Sequence, residues 1–226
     1  MRRKENVDSY WGENATNYDE ERADDKWQRE AEVFEQLLDL TAPTVVFDCP
    51  VGTGRWLSAY NKRFPQLSRV IAADISDDML SETKKKSDSV QFELSLMKQN
   101  VIKDGAGITR LEGPGLVVCT RFLNWLTLGQ TEKVLRSIAT IEPKWIILSL
   151  RYRHSLSEYS ELKKWKRIAL RRFHNERILY HHNRENVLRT LRACEYRMRV
   201  EMCVESSTKT TFSYFLFESE REIPAP

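Results

Sequence analysis

Thr44-Val45-Val46-Phe47-Asp48-Cys49-Pro50-Val51-Gly52-Thr53-Gly54-Arg55 is the stretch that decides the fold. A short apolar run of this kind reads as a strand buried on both faces, and it leads directly into a glycine turn. Gly52 and Gly54 permit positive backbone dihedrals and leave bare amides at the start of the next helix, where a ligand can lie. That helix carries Leu57, Tyr60 and Phe64 on one face, and a second strand, Arg69-Val70-Ile71-Ala72-Ala73-Asp74, follows at the distance of one helical crossover. A glycine turn with a carboxylate at the end of the next strand is how a parallel α/β sheet holds a nucleoside. Read blandly, the same residues are an ordinary strand, turn and helix, with Asp74 capping the helix that starts near Ser76.

The turn is not the dinucleotide fingerprint G-x-G-x-x-G, because Pro50 stands at its first glycine and Leu57 at its third. It also lacks the Gly-Lys-Ser/Thr of a P-loop. It resembles motif I of the class I S-adenosylmethionine-dependent methyltransferases, in the variant Asp-x-Pro-x-Gly-Thr-Gly-Arg. The resemblance implies that Asp48, Pro50, Gly52, Thr53, Gly54 and Arg55 form the cofactor turn. It also implies that Asp74 accepts hydrogen bonds from both ribose hydroxyls and that Ile75 flanks the adenine. Met79, Leu96, Met97 and Arg121 complete the cofactor contacts it suggests. Many members have an acid just after the third strand; this chain reads Ser95-Leu96-Met97-Lys98 there, which leaves the adenine amino group to backbone amides or to Asp104. Asn6 to Tyr18 resembles the segment that folds over the cofactor in many small-molecule methyltransferases, with Tyr10, Trp11 and Tyr18 as its aromatics. An N-terminal helix packing those aromatics on the domain is the alternative.

Around this centre the alternation of elements predicts one α/β domain. Trp27, Ala31, Phe34 and Leu38 recur at helical spacing between Asp24 and Leu40. Further strands are predicted at 90–94, 115–120 and 144–150, with helices at about 77–86 and 131–141. Met198, Val200, Met202 and Val204 alternate with polar residues, and a turn at 206–209 leads into a strand over 210–217. The expectation is a three-layer, Rossmann-like α/β fold. Its seven-stranded sheet is mostly parallel with an antiparallel last strand, as the resemblance implies. A helical cap is assigned to 1–40, the cofactor-binding core to 44–150, a basic helical lid to 151–182, and the last helix and hairpin to 183–226.

Composition bounds the function. The chain has 226 residues, 36 Lys or Arg and 33 Asp or Glu, which suits one sizeable core and a near-neutral whole. No apolar run approaches a membrane span, and the polar N-terminus is no signal peptide. Cys49, Cys119, Cys194 and Cys203 are scattered without a C-x-x-C pair, which argues against zinc or a disulfide framework and for a cytoplasmic protein. Arg151 to Arg184 hold ten Lys or Arg against three Glu, with Leu162, Trp165, Ala169 and Phe173 as a helical stripe. Such a lid suits an acceptor bearing phosphate or carboxylate. A plain solvated helix face is the competing interpretation.

In methyl transfer the protein mainly aligns an acceptor and removes its proton, so no catalytic residue type is obligatory. His154, just past the fifth strand, is the best-placed general base, with His181 and His182 before the last helix and His174 in the lid. Arg121 follows the fourth strand, where the resemblance puts substrate-facing residues. Arg55 is suited either to the cofactor carboxylate or to a nearby acid. The leading function is S-adenosylmethionine-dependent methyl transfer to a small-molecule, sugar or lipid acceptor. The alternatives are an RNA- or DNA-modifying methyltransferase and a non-catalytic S-adenosylmethionine-binding partner protein. The first needs a continuous positive surface and lacks the Asn-Pro-Pro-Tyr type motif after the fourth strand.

Overall fold

The computed structural model describes residues 25–153 and 180–221. In chain order it contains α1 (Asp25–Leu38), β1 (Val45–Asp48), α2 (Leu57–Arg63), β2 (Arg69–Asp74), α3 (Asp77–Lys84) and β3 (Glu93–Lys98). These are followed by β4 (Gly115–Cys119), α4 (Leu128–Thr140), β5 (Trp145–Arg153), α5 (Arg184–Arg192), β6 (Tyr196–Ser206) and β7 (Thr210–Ser219). Short 3-10 turns lie at Ser87–Ser89 and Leu123–Trp125.

The strands form one sheet in the order β3-β2-β1-β4-β5-β7-β6. The β1–β2, β1–β4, β2–β3 and β4–β5 pairs are parallel. Only β7 runs against its neighbours β5 and β6. The tight link between β6 and β7 forces this reversal, because strands joined by a short turn can only pair antiparallel. The order reverses beside β1, so the carboxyl ends of β1 and β4 diverge there and open the crevice in which such sheets take ligands.

Helices cover both faces. Phe34, Leu37 and Leu38 of α1 and Leu57 and Tyr60 of α2 pack with Val46, Val70, Leu116 and Leu216. Val134, Leu135 and Ile138 of α4 and Val187, Leu188 and Leu191 of α5 pack with Phe47, Val117, Ile146 and Phe217 on the other face. Each fully buried Leu, Val or Phe contributes roughly 1.5–3 kcal/mol, so the two cores are the main stabilising term. Local chemistry fixes the helix starts. Ser76 accepts from Met79 N at the head of α3, Asn183 from Glu185 N at α5, and Thr127 with Gln130 forms a reciprocal capping box at α4.

Three expectations are corrected. The third strand is Glu93–Lys98 rather than 90–94, because β2 pairs with it from Arg69↔Glu93 to Asp74↔Lys98. Val90 and Phe92 pack on the core ahead of it instead. The fourth helix begins at Leu128, three residues before the predicted start, where the capping box sets it. Arg151 to Arg153, assigned to the lid, extend β5 by pairing with Phe212, Thr211 and Thr210. Residues 1–24, 154–179 and 222–226 lie outside the described residues, and with them most of the expected lid and the aromatic segment of the cap.

Candidate functional site

The glycine turn joins β1 to α2 at the carboxyl edge of the sheet. Gly52 and Gly54 have φ values of +58° and +70°, a backbone region that costs a side chain strain. They differ in what surrounds them. A Cβ on Gly54 would lie 3.0 Å from Leu57 and 3.1 Å from Thr83, so this glycine lets the turn press against α2 and α3. A Cβ on Gly52 would meet nothing within 4 Å among the described residues, so bare backbone faces open space. Thr83 Oγ1 donates to Gly52 O at 2.8 Å and pins the turn from behind.

Asp74 ends β2 beside that turn and is buried. Its Oδ2 accepts Gly52 N–H at 2.9 Å and its Oδ1 accepts Ser76 N–H at 3.0 Å. One carboxylate thus ties the glycine turn to the start of α3; the cap of that helix is Ser76, and Asp74 holds the backbone N–H of the capping residue instead of capping the helix itself. Ile75 follows it half-buried, and Met79 is buried one turn into α3. Leu96 and Met97 lie inside β3 rather than after it, and Leu96 is one of the few large apolar side chains left exposed.

Asp48 ends β1 and is only 1% exposed. The Tyr60 hydroxyl donates to its Oδ2 at 2.9 Å, while Oδ1 is buried with no hydrogen-bond partner among the described residues. Burial pushes its carboxyl up to about 8; the Tyr60 bond pulls it down and the nearby Asp74 charge pushes it further up. A buried carboxylate oxygen without a donor is a standing cost unless a ligand supplies a donor or a positive charge.

A second cluster was not foreseen. Glu30 of α1 is fully buried, and its carboxylate accepts Arg121 Nε at 2.7 Å on Oε1 and 2.9 Å on Oε2. Arg121 Nη2 and the Tyr214 hydroxyl also donate to it, and Arg55 Nη1 lies 3.4 Å from Oε2. The Trp27 ring sits between the two guanidiniums, 3.9 Å from Arg55 and 3.7 Å from Arg121. Arg55 also donates to Trp27 O at 3.0 Å. Burial opposes the charge on Glu30, but the Arg121 hydrogen bonds and the two guanidinium charges outweigh it and hold the carboxyl below the ordinary glutamate value. Of the two roles considered for Arg55, pairing with a nearby acid is the arrangement seen. Arg121 has φ +55°, and its N–H donates to Ser149 Oγ at 2.7 Å. Backbone of that conformation in a non-glycine residue is held only where the surroundings over-determine it, and here an ion pair and an aromatic face do so.

The histidines divide. His154 and His174, like Tyr10, Trp11 and Tyr18, lie outside the described residues. His182 is buried, with Nε2 2.7 Å from Leu123 O. A carbonyl only accepts, so Nε2 carries the proton, and burial holds the ring below its ordinary value. His182 therefore braces the loop after β4 and does not face a cleft as a base. Asn124 does similar work: its Nδ2 donates to Arg151 O and Tyr180 O, each at 2.7 Å, and its Oδ1 accepts Arg151 N at 2.8 Å. No group of His, Cys, Asp and Glu able to hold a metal occurs among the described residues. No helix among them is long and apolar enough to cross a membrane.

Glu30, Tyr60 and Tyr214 were the polar residues that sequence reading missed. For Glu30 a signal existed: it sits three residues after Trp27 and four before Phe34, inside the apolar stripe of α1 where an acid needs a partner.

No protein-family model matches the chain, and no curated protein sequence matches it. Solved structures share its architecture. Magnesium protoporphyrin IX methyltransferase from Synechocystis PCC 6803, with bound SAH, superposes with a TM-score of 0.64 at 15% identity over 95% of this chain and 98% of that one. The DhpI–SAM–HEP complex gives 0.64 at 15% identity over 93% and 94%. The [4+2]-cyclase SpnF gives 0.64 at 10% identity over 87% and 85%. At such identities the likeness establishes the fold: this chain has the architecture of the class I S-adenosylmethionine-dependent methyltransferases.

Proposed function

We propose that the protein binds S-adenosylmethionine at the glycine turn and transfers its methyl group to a small-molecule acceptor. The observation that carries this reading is the meeting, at one strand-order reversal, of a bare Gly52 backbone, the Asp74 carboxylate and the Asp48 Oδ1, which has no hydrogen-bond partner among the described residues. These groups fit a nucleoside with hydroxyls to be accepted and a positively charged tail to be neutralised. Asp74 would take the ribose hydroxyls beside the Gly52 turn. Ile75 and Met79 would border the adenine, and Gly52 to Gly54 would lie under the tail. The bound cofactor supplies an electrophilic methyl on a sulfonium. The protein's own part is to orient it, exclude water and hold an acceptor in line.

The acceptor in this reading carries carboxylate or phosphate. Support comes from the basic composition of residues 151–184 and from the arginines at the ends of β4 and β5. Arg121 and Arg151 lie 5.5 and 5.2 Å from the Phe212 ring centre and Lys26 reaches the same corner; Arg121 is paired with Glu30, and Arg151 and Lys26 with Glu205 at 3.0 and 2.5 Å, so an acceptor anion would compete with these acids. Four free cysteines, two of them buried in the core, accord with a reducing cytoplasm. A second reading, a bound cofactor serving other chemistry, is favoured by the likeness to a [4+2]-cyclase. Incubation with methyl-labelled S-adenosylmethionine and a panel of carboxylate, phosphate and neutral acceptors separates them. Label transfer confined to anionic acceptors supports the proposal; cofactor binding with no transfer to any acceptor supports the second reading.

A further inference from the structure

The ends of β1 and β2 bring two carboxylates to one turn, and the fold satisfies them unequally. Asp74 receives a backbone N–H on each oxygen. Asp48, more deeply buried, receives one phenol on Oδ2 and nothing on Oδ1 among the described residues, and no Lys, Arg or His there forms an ion pair with it. A buried carboxylate in that condition is cheaper to keep neutral than charged, and more so beside a second carboxylate. We propose that Asp48 holds a proton while the site is empty and gives it up when a positively charged cofactor tail enters, so that cofactor binding releases about one proton to solvent. This inference rests on the cofactor reading above.

The balance is simple. In the free protein the Asp48 carboxylic acid is neutral. On binding, its O–H bond breaks, the proton passes to buffer, and the carboxylate left behind is neutralised by the ligand's charge. When the ligand leaves, the proton returns. Among the described residues no other group around Asp48 competes for this role. Tyr60 on α2, Cys49 after β1 and Cys119 on β4 are the remaining titratable neighbours. Burial pushes Cys119 up to about 12 and holds Tyr60 and Cys49 well above their ordinary values, so all three stay neutral near pH 7. Asp74 on β2 is the one other charge acting on it among the described residues, and it favours the neutral form of Asp48. With the Asp48 carboxyl near 8 in the free protein, binding at pH 7 releases about 0.9 proton and binding at pH 9 about 0.1, if the ligand's charge brings the bound value below about 5.

The test is calorimetric titration of the full chain in two buffers of different ionisation enthalpy, at pH 7 and pH 9. The ligands are S-adenosylmethionine, S-adenosylhomocysteine, which keeps the ammonium but has no sulfonium, and 5′-methylthioadenosine, which has neither. Release by both of the first two supports the proposal and assigns the partner charge to the ammonium; release by S-adenosylmethionine alone supports it and assigns the sulfonium. Methylthioadenosine is expected to bind without release. Binding of S-adenosylmethionine with no proton released overturns the proposal, as does equal release by methylthioadenosine. Absence of binding by all three overturns the cofactor reading and this inference with it. Asp48→Asn should abolish the release while still binding methylthioadenosine. Tyr60→Phe removes the one bond that lowers the Asp48 value, so its release should persist at pH 9; loss of release in this variant overturns the assignment to Asp48 even if the Asn variant does not fold.

Discussion

Replacing Glu30 by glutamine tests whether the arginine cluster is a structural keystone. The carboxylate is fully buried and serves Arg121 through both oxygens, Tyr214 through one, and Arg55 at 3.4 Å. Glutamine keeps the shape but removes the charge and turns an amide N–H₂ toward groups that are all donors. Removing one partner of a buried pair costs roughly 3–5 kcal/mol. Arg121 and Arg55 retain 31% and 21% side-chain exposure and recover some hydration, which places the expected loss at the low end, about 3 kcal/mol. In urea, with a slope of roughly 2–3 kcal/mol/M for a chain of this size, the midpoint should fall by about 1–1.5 M. In a thermal scan the same loss lowers Tm by about 6–12 °C. Adding Arg121→Met should return part of the loss, because it removes the uncompensated cation, and the double-mutant cycle reads that coupling directly. The pH dependence has a definite sign. Glu30 is held below its ordinary value of 4.5, so its contribution is full above that pH and is lost as pH falls through the folded value; the Gln penalty should shrink only in acid. A midpoint unchanged within about 0.2 M at pH 7, or a penalty that grows in acid, refutes this reasoning.

Three other outcomes follow from the turn and its carboxylates. Gly54→Ala should destabilise more than Gly52→Ala: both meet the left-handed penalty of about 1 kcal/mol, but only the former also collides with Leu57 and Thr83, and paired denaturation curves check this. Gly52→Ala should also weaken nucleoside binding, seen as a rise in the Kd for S-adenosylhomocysteine, while its Tm falls by only about 2–4 °C. Asp48 is raised from 3.8 to about 8, so its contribution to stability is complete below pH 4, falls as pH rises above it and is lost once pH passes 8. Ligand-free Asp48→Asn should therefore gain on the wild type by about 1.4 kcal/mol per pH unit across that window, measured by urea midpoints at pH 5, 6, 7 and 8.

The sequence carried the fold because its signals were local. Val45 to Gly54 state a buried strand and a tight turn within ten residues, and Asp74 falls at the end of the next such strand. What escaped was set by distant partners. The register of β3 depends on pairing with β2 and not on where Val90 and Phe92 lie, so an apolar run marked the approach to the strand and not the strand. The role of Arg55 and Arg121 depends on Glu30, 25 and 91 residues away in sequence, and on Tyr214, 184 residues from Glu30 on β7. That Asp48 Oδ1 meets no donor among the described residues depends on which groups fail to reach it, and no spacing rule expresses that. His182, attractive as a base by its place in the chain, proves to brace the loop after β4 through Leu123 O.

Titration of S-adenosylhomocysteine into the wild-type chain and into Asp74→Asn, by calorimetry at one pH, goes to the centre of the matter. The wild type should bind one equivalent, and the variant should bind at least about tenfold more weakly, since each charge-assisted hydrogen bond lost is worth roughly 1.5–3 kcal/mol. A wild type that produces no binding heat, or a variant with undiminished affinity, would contradict the placement of a nucleoside between the Gly52 turn and Asp74.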